Sequence, residues 1–94
     1  MKLLACAVRD GAVGAFLTPM FFRSKGEAIR SFTDAATNSE HQFSKHMSDY
    51  VFYVVGEFDD NSGLFSPCEP LRLISALECS APDPRSPPPG HVAE

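Results

Sequence analysis

Two adjacent carboxylates, Asp59 and Asp60, are the first residues of this chain whose chemistry could bind a metal. They lie in the segment GEFDDNSG, directly after an apolar run. A calcium loop of the EF-hand type needs oxygen ligands at alternating positions and a late bidentate glutamate, and no glutamate follows before Glu69. Asp, Asn and Gly instead tolerate the left-handed backbone that tight turns need. The spacing therefore predicts a hairpin turn and no metal site.

The remaining potential ligands and nucleophiles form no recognisable motif. They are His41, His46, His91, Cys6, Cys68 and Cys79. A five-residue separation places His41 and His46 on different faces of a helix, and the cysteines form neither a CxxC pair nor a Cys/His ligand set. No serine elbow or phosphate-cradling glycine loop is present. We therefore expect no catalytic residue, no cofactor and no enzymatic activity.

One group of residues does match a known binding chemistry, an aromatic pair beside basic side chains. It comprises Phe21, Phe22, Arg23, Lys25, Arg30 and, across a predicted hairpin, Arg9. Single-stranded nucleic acid is bound in this way, because bases stack on rings while cations follow the phosphates. Free amides at a helix start, beside Lys25, would add a phosphate site. The competing interpretation is a core ring and solvated charges. Strand alternation predicts one ring inward and one outward.

The charge balance limits the class of partner. The formal net charge is −4, and residues 80–94 carry one of the eight basic and two of the twelve acidic residues, which leaves seven against ten. A net-negative domain is unsuited to non-specific duplex binding, which scales with the phosphates neutralised. The apolar run of MKLLACAV is too short for a secretory signal, and no segment has the length of a membrane span. We expect a soluble intracellular protein.

The first half of the chain predicts two strands and a helix. Residues 2–9 form an apolar run that ends at RDGAVG, and residues 15–23 are strand-like, although Pro19 restricts them to an edge or a bulged strand. Ser24 and Glu27 fit a capping box, and apolar residues recur behind them at helical spacing as far as Ala36. We predict a hairpin followed by one amphipathic helix of about three turns.

The second half predicts a central strand and a final segment that fits a strand or a helix. In residues 50–58, alternation places Phe52, Val54 and Phe58 on one face and Tyr53, Val55 and Glu57 on the other. Apolar groups on both faces indicate a central strand or a second contact surface. The segment LRLISALEC fits a strand or a short helix by periodicity. The fold class is α+β, with the order β-β-α-β-β and one helix packed on a small, mostly antiparallel sheet.

Residues 80–94 have a different composition from the rest. The sequence SAPDPRSPPPGHVAE contains five of the eight prolines and one aliphatic side chain of any size, Val92. Such a segment cannot bury enough apolar surface to offset its ordering entropy. We predict a single domain over residues 1–79 and a disordered proline-rich tail over residues 80–94. A domain this small has a limited core, and therefore self-association as a homodimer is a reasonable expectation.

The folded part resembles the small non-structural protein of gokushovirus-type Microviridae, which are single-stranded DNA phages. The resemblance runs through AVRD, PMFFRSKGEAIRSFTD, KHMSDYVFYVVGEFDDNSGLF and PLRLI, in order and at similar spacing. It implies a non-structural protein in the cytoplasm of an infected bacterium, acting in viral DNA replication or single-stranded genome synthesis. The implied partners are viral DNA, phage or host replication proteins, or the protein itself. The family supplies no established binding residues.

Two functional hypotheses follow. The first is an accessory protein that contacts single-stranded DNA through the aromatic and basic group. The second is a dimeric interaction module that recruits or inhibits a phage or host protein through the apolar side of the strand around Tyr53 and Val55. A third, with the proline-rich tail as the functional element, rests on composition alone.

Overall fold

A computed structural model describes residues 1–79, which form a five-stranded antiparallel sheet with helices on one side. The strands are β1 (Lys2–Asp10), β2 (Ala15–Phe16), β3 (Met20–Phe22), β4 (Tyr50–Asp59) and β5 (Phe65–Ser75). The helices are α1 (Lys25–Ala36), α2 (Gln42–Lys45) and α3 (Ala76–Cys79), and a 3₁₀ turn covers Met47–Asp49. The predicted α+β class is confirmed, but the structure has three strands before α1 where two were predicted, and α2 and α3 add to the one predicted helix. The predicted tail lies outside the described residues.

The sheet has a long central pair and two unequal edges. β1 and β4 are neighbours over most of their length, β5 lies beside β4, and the short strands β2 and β3 both pair with β1. The segment predicted as one strand over residues 15–23 is therefore two strands, interrupted before Pro19. Proline has no N–H to donate to the ladder, which explains the interruption.

Helix α1 begins where its capping residues predict. Ser24 is extended, and its Oγ accepts the Glu27 N–H at 3.1 Å, which is one half of the predicted capping box. Ala28, Phe32 and Ala36 face the sheet and are buried. The helix ends at Thr37, whose hydroxyl donates to the Thr33 carbonyl at 2.7 Å.

The core lies between α1 and one face of the sheet. Phe32 and Phe52 stack almost parallel at 4.8 Å between ring centroids, and Phe22 meets Phe52 edge-on at 6.2 Å. Phe43, from α2, packs on Phe32 and Tyr50, so the polar connection after α1 is anchored by that residue as well as by Met47. These contacts between rings stabilise the core beyond the contribution of the apolar area that the rings bury.

The last described segment contains both a strand and a helical turn, the two structures that its periodicity allowed. β5 continues through Pro67 and Pro70 to Ser75, and one helical turn, α3, follows. Ala76 is fully buried, and Cys79 Sγ lies 3.6 Å from Thr33 Oγ1 on α1. The α3 turn therefore fastens the end of the sheet to the same side as α1.

A β-bulge in β4 corrects the predicted side-chain alternation. Cys6 pairs with Val54, whereas the preceding residue of β1, Ala5, pairs with Gly56. Val55 is therefore the extra residue in β4. After Val55, each side chain of β4 therefore lies on the face of the sheet opposite to the one that simple alternation predicts. Phe58 was expected on the side of Phe52, and it lies on the opposite side, in contact with Phe21.

Candidate binding face of the sheet

One face of the sheet is covered by α1, and the other carries no helix in the described part of the chain. The register of β1, β3 and β4 assigns Leu4, Phe22 and Phe52 to the covered face. The opposite face, here called the open face, carries five aromatic rings. They are Phe16, Phe21, Tyr53, Phe58 and Phe65.

The open-face rings form two contact groups along the sheet. Phe21, Phe58 and Phe65 form a triangle with ring centroids 4.7 to 6.0 Å apart. Phe16 meets Tyr53 edge-on at 5.5 Å. The first group lies beside the β4–β5 turn, and the second lies toward the other end of β4. The rings therefore form an interrupted aromatic surface along the strands.

These rings keep substantial exposure despite their mutual contacts. Phe16 is 41% exposed, Phe21 is 43% and Phe65 is 65%, whereas Phe52 on the covered face is fully buried. The exposed group around Phe21 and Phe65 is an apolar patch, and exposed apolar patches are features of interaction sites. The open face is therefore the main candidate binding surface.

A shallow cavity lies beside Phe21. Its volume is about 170 Å³, and its apolar walls come from Ala5, Pro19, Phe21, Val55, Phe65 and Pro67. Gly56, Glu57 and Ser66 complete the lining. Gly56 is required here, because a Cβ at this position would meet the Ser66 carbonyl oxygen at 2.7 Å. The bulge and this glycine allow β5 to approach β4 closely and shape the floor of the cavity.

The charged residues that strand pairing places on the open face are both basic. Among the paired strand residues in the described part of the chain, the register places only Arg9 and Arg72 there as charged residues. Arg72 is in an ion pair with Glu78 of α3, while Arg9 has no ion pair within residues 1–79.

The structure separates the two predicted rings as alternation required. Phe22 is 8% exposed and packs on Phe52, so this candidate cannot stack on a base, and Phe21 is the ring that remains available. Burial of Phe22 corrects its inclusion among the predicted nucleic-acid contacts.

The predicted basic residues do not gather around Phe21. Arg9 shares the open face, but it lies four residues along β1 from Ala5, the partner of Phe21, which is about 13 Å. Arg23 follows β3 directly, at the end of the sheet that carries the β4–β5 turn. Lys25 and Arg30 belong to α1, in the layer behind the sheet. The first turn of α1 also carries Glu27, which opposes an anion there.

Sequence reasoning missed the rings that adjoin Phe21. Phe65 and Phe58 are paired across the β4–β5 turn, so their juxtaposition was available from the hairpin. Their position on the open face was not, because it depends on the bulge at Val55. Phe16 was read only as part of an edge strand, and its pairing with Arg9 places it beside Tyr53.

The two carboxylates form the turn that their spacing predicted. Asp59 Oδ1 accepts the Asn61 N–H at 2.9 Å, the Gly63 N–H donates to the Asp59 carbonyl at 2.8 Å, and Gly63 has a φ of 77°. The Asn61 N–H is the main cause that lowers the pKa of Asp59. Asp60 accepts the terminal ammonium of Met1 at 2.7 Å. Within residues 1–79, no three His, Cys, Asp or Glu side chains come together as a metal site.

The two edges of the sheet are poorly suited to adding another strand. On one side, β2 and β3 are two and three residues long and separated by a segment that includes Pro19. On the other, residues 68–70 of β5 lie out of register with β4, between Pro67 and Leu71, and include Pro70. Short strands, prolines and bulges are the features that block edge-to-edge pairing. A partner is therefore expected on the open face rather than at an edge.

Comparison with known proteins gives one assignment. No curated protein and no solved structure matches the chain. None of the helices within residues 1–79 is long and apolar enough to cross a membrane. The family model described as Phage ORF5 protein matches residues 3–79, which is nearly the whole described part and includes both faces of the sheet. This chain belongs to the Phage ORF5 protein family.

Proposed function

We propose that this phage protein is a non-enzymatic accessory protein that binds single-stranded DNA on the open face of its sheet. The observation that carries the proposal is the combination of exposed rings with Arg9, a basic side chain on the same face that has no ion pair within residues 1–79. Phe21 and Phe65 offer surfaces on which bases stack, and stacking of this type contributes about 1–3 kcal/mol per base. Arg9 supplies a cation for the phosphates on the same face.

The open face suits a single strand better than a duplex. A flat sheet with rings engages bases only when they are unstacked, and paired bases in a duplex are not available. The net charge of −4 also disfavours the sequence-independent attraction that duplex binding needs. Binding is therefore expected to depend on stacking, with little sequence preference.

The predicted basic residues take unequal parts in this proposal. Arg9 lies on the open face and Arg23 at its end, and we assign both to phosphate contacts. Lys25 and Arg30 lie in the α1 layer, and we assign them only long-range attraction, which salt screens within about 10 Å at 0.1 M.

The family assignment and the resemblance to gokushovirus-type Microviridae support a biological setting for this proposed binding. A single-stranded DNA phage exposes its genome as single strands during synthesis. We therefore propose a role in viral DNA replication or single-stranded genome synthesis, in the cytoplasm of the infected bacterium. Phage or host replication proteins are the expected protein partners.

A fluorescence polarisation titration with a labelled oligonucleotide tests the proposal. We expect binding at low salt that weakens as salt rises, with a shallow slope because only about two to three phosphates are neutralised. Arg9→Ala is expected to weaken binding several-fold, and Lys25→Ala to change it little. Absence of binding at low salt, or equal losses in both variants, contradicts the proposed surface.

A second function is favoured by the same exposed rings. The open face could instead be the interface of a homodimer or of a complex with another phage or host protein, as Tyr53 lies on this face and not under α1. Sedimentation separates the two: this alternative predicts a stable dimer that Phe21→Asp and Phe65→Asp dissociate. A monomer across the micromolar range contradicts the homodimer.

A further inference from the structure

The cavity beside Phe21 has the size of a single six-membered ring. Its volume is about 170 Å³. An engineered apolar cavity of about 150 Å³ in another protein binds benzene, whereas ordinary ligand pockets reach roughly 300–1,000 Å³. A pyrimidine base is one ring of similar dimensions, and the two fused rings of a purine would extend beyond the walls. The volume therefore favours a pyrimidine among the DNA bases.

The side chains that face this cavity carry no charge within residues 1–79. Glu57 and Ser66 are part of its lining, but they form the cross-strand pair next to Phe58 and Phe65, which lie on the open face. Alternation therefore directs the side chains of Glu57 and Ser66 to the opposite face, and their backbone completes the lining. An uncharged base fits such walls, whereas a phosphate would lose its hydration there without a cation in return.

Thymine is the pyrimidine that these walls complement best. Proteins recognise its C5 methyl group through apolar contacts, including those of alanine and phenylalanine side chains. Ala5 and Val55 supply aliphatic walls of the cavity, and Phe21 supplies an aromatic one. Cytosine and uracil lack this methyl group and would leave part of the apolar wall uncovered.

A cation for the phosphates of the same strand lies on the same face. Arg9 is four residues along β1 from Ala5, or about 13 Å, and it has no ion pair within residues 1–79. Stacked bases are about 3.4 Å apart, and therefore about four nucleotides or fewer bridge this distance. The open face thus offers apolar walls to a neutral base and a positive charge to a nearby phosphate.

We propose that this cavity is a thymine subsite of the open face, an inference that rests on the proposed binding of single-stranded DNA. The thymine ring stacks on Phe21, and its methyl group packs against Ala5 and Val55. The cavity is shallow, so the polar edge of the base stays in contact with water. The other bases of the strand are bound without selection, and the protein therefore has a modest preference for strands that contain thymine.

Two oligonucleotides that differ only in methyl groups test the subsite. In a competition polarisation titration, unlabelled decamers of thymidine and of 2′-deoxyuridine displace the same labelled strand. The thymidine decamer is expected to bind about three- to fourfold more tightly, which is the effect of one buried methyl group. Equal affinities overturn the subsite and leave the proposed function standing. Absence of binding by both decamers contradicts the proposed function itself.

Two variants separate the cavity from the rest of the open face. Ala5→Val fills part of the cavity with a residue that suits a β-strand, and it is expected to bring the ratio of the two affinities to about one. Arg9→Ala is the matched control, which should weaken both decamers several-fold and preserve their ratio. A thymidine preference that survives Ala5→Val overturns the proposal, because it would come from stacking outside the cavity.

A measurement on the unmodified chain tests the contact directly. In the complex with the thymidine decamer, nuclear Overhauser effects are expected between the thymine C5 methyl protons and the methyl groups of Ala5 and Val55. This result does not depend on the folding of any variant. Absence of these effects in a complex that shifts the Arg9 amide signal overturns the subsite.

Discussion

The two faces of this sheet differ in burial far more than in composition. On the covered face, Phe52 is fully buried, stacked on Phe32 and met edge-on by Phe22. On the open face, Phe21 and Phe65 contact each other and remain 43% and 65% exposed. Aromatic side chains thus lie on both faces, but within residues 1–79 only one face has a helix over it.

Phenylalanine therefore has two energetic roles in this protein, one on each face of the sheet. Complete burial of an apolar side chain contributes about 1.5–3 kcal/mol, and the covered-face rings obtain nearly all of it. The open-face rings are only partly buried. A ligand that covers them would therefore gain the remaining free energy of burial. The covered face accounts for stability, and the open face accounts for the proposed binding.

The largest expected effect is on the covered face. Phe52→Ala removes the ring at the centre of the core and should lower the free energy of unfolding by about 3–5 kcal/mol. For a domain of this size, such a loss leaves a large unfolded fraction. Urea unfolding followed by circular dichroism measures it. Phe65→Ala on the open face is the matched control, with an expected loss below about 1 kcal/mol; similar losses in both variants would remove the contrast between the faces.

A pair of adjacent residues sharpens the comparison for binding. Phe21→Ala should change the free energy of unfolding little and weaken single-stranded DNA binding about tenfold, the equivalent of one lost stacking contact. Phe22→Leu keeps an apolar side chain in the core and should cost about 1–2 kcal/mol of stability while leaving DNA affinity unchanged. The reverse pattern in polarisation and urea titrations would mean that the faces are assigned wrongly.

Gly56 tests the close approach of β5 to β4 beside the bulge. In Gly56→Ala the new Cβ meets the Ser66 carbonyl at 2.7 Å, and a loss of about 1–3 kcal/mol is expected from urea unfolding. Gly26→Ala is the control, since its Cβ has only Ser24 Oγ at 4.0 Å and a helical position gains up to about 1 kcal/mol from alanine. A neutral Gly56→Ala would show that β5 does not approach β4 this closely.

The reactivity of Cys6 and Cys68 compares a buried site with an exposed site without any substitution in the chain. Burial raises the pKa of the Cys6 thiol to about 11, so little thiolate is present near pH 8 and the sulfur is inaccessible. Cys68 is exposed on β5. Maleimide labelling followed by peptide mass spectrometry should modify Cys68 rapidly and Cys6 only in denaturant. Rapid modification of Cys6 in the native protein would contradict a packed covered face.

The smallest expected effect lies in the turn that joins β4 and β5. The folded-state pKa of Asp59 is below its ordinary value, chiefly because its carboxylate accepts the Asn61 N–H. A depressed pKa stabilises the fold above the unfolded-state pKa, and this contribution is lost as pH falls through the folded-state pKa. Asp59→Ala should therefore slightly lower the urea midpoint near neutral pH, and the difference from the unmodified chain should shrink as pH falls through the folded-state pKa of Asp59. A difference that persists in acid would require another explanation.

Local signals in the sequence predicted local structure well. The capping box of Ser24, the alternation of Phe21 and Phe22, and the turn at Asp59 each depend on neighbours within a few residues. These features arise from backbone hydrogen bonds and strand geometry that short segments already contain. The α+β order followed from them.

Features that depend on distant strands were not predictable in the same way. The bulge at Val55 exists only in the pairing of β4 with its neighbours β1 and β5, although Gly56 is the residue type that such sites favour. Its consequence for Phe58 was therefore missed. The dispersal of Arg9, Lys25 and Arg30 over two layers likewise depends on how α1 packs on the sheet. These basic residues were grouped because they are close in the sequence, and the fold places them in two different layers.

The most direct test of the central claim is to map where an oligonucleotide contacts the protein. Backbone amide chemical shifts of the full chain, recorded during a titration with a short thymidine oligonucleotide, resolve the two faces residue by residue. The account predicts shift changes concentrated at Arg9, Phe21, Tyr53 and Phe65, with α1 largely unaffected. Changes concentrated along α1, or none at all at millimolar oligonucleotide, would contradict it.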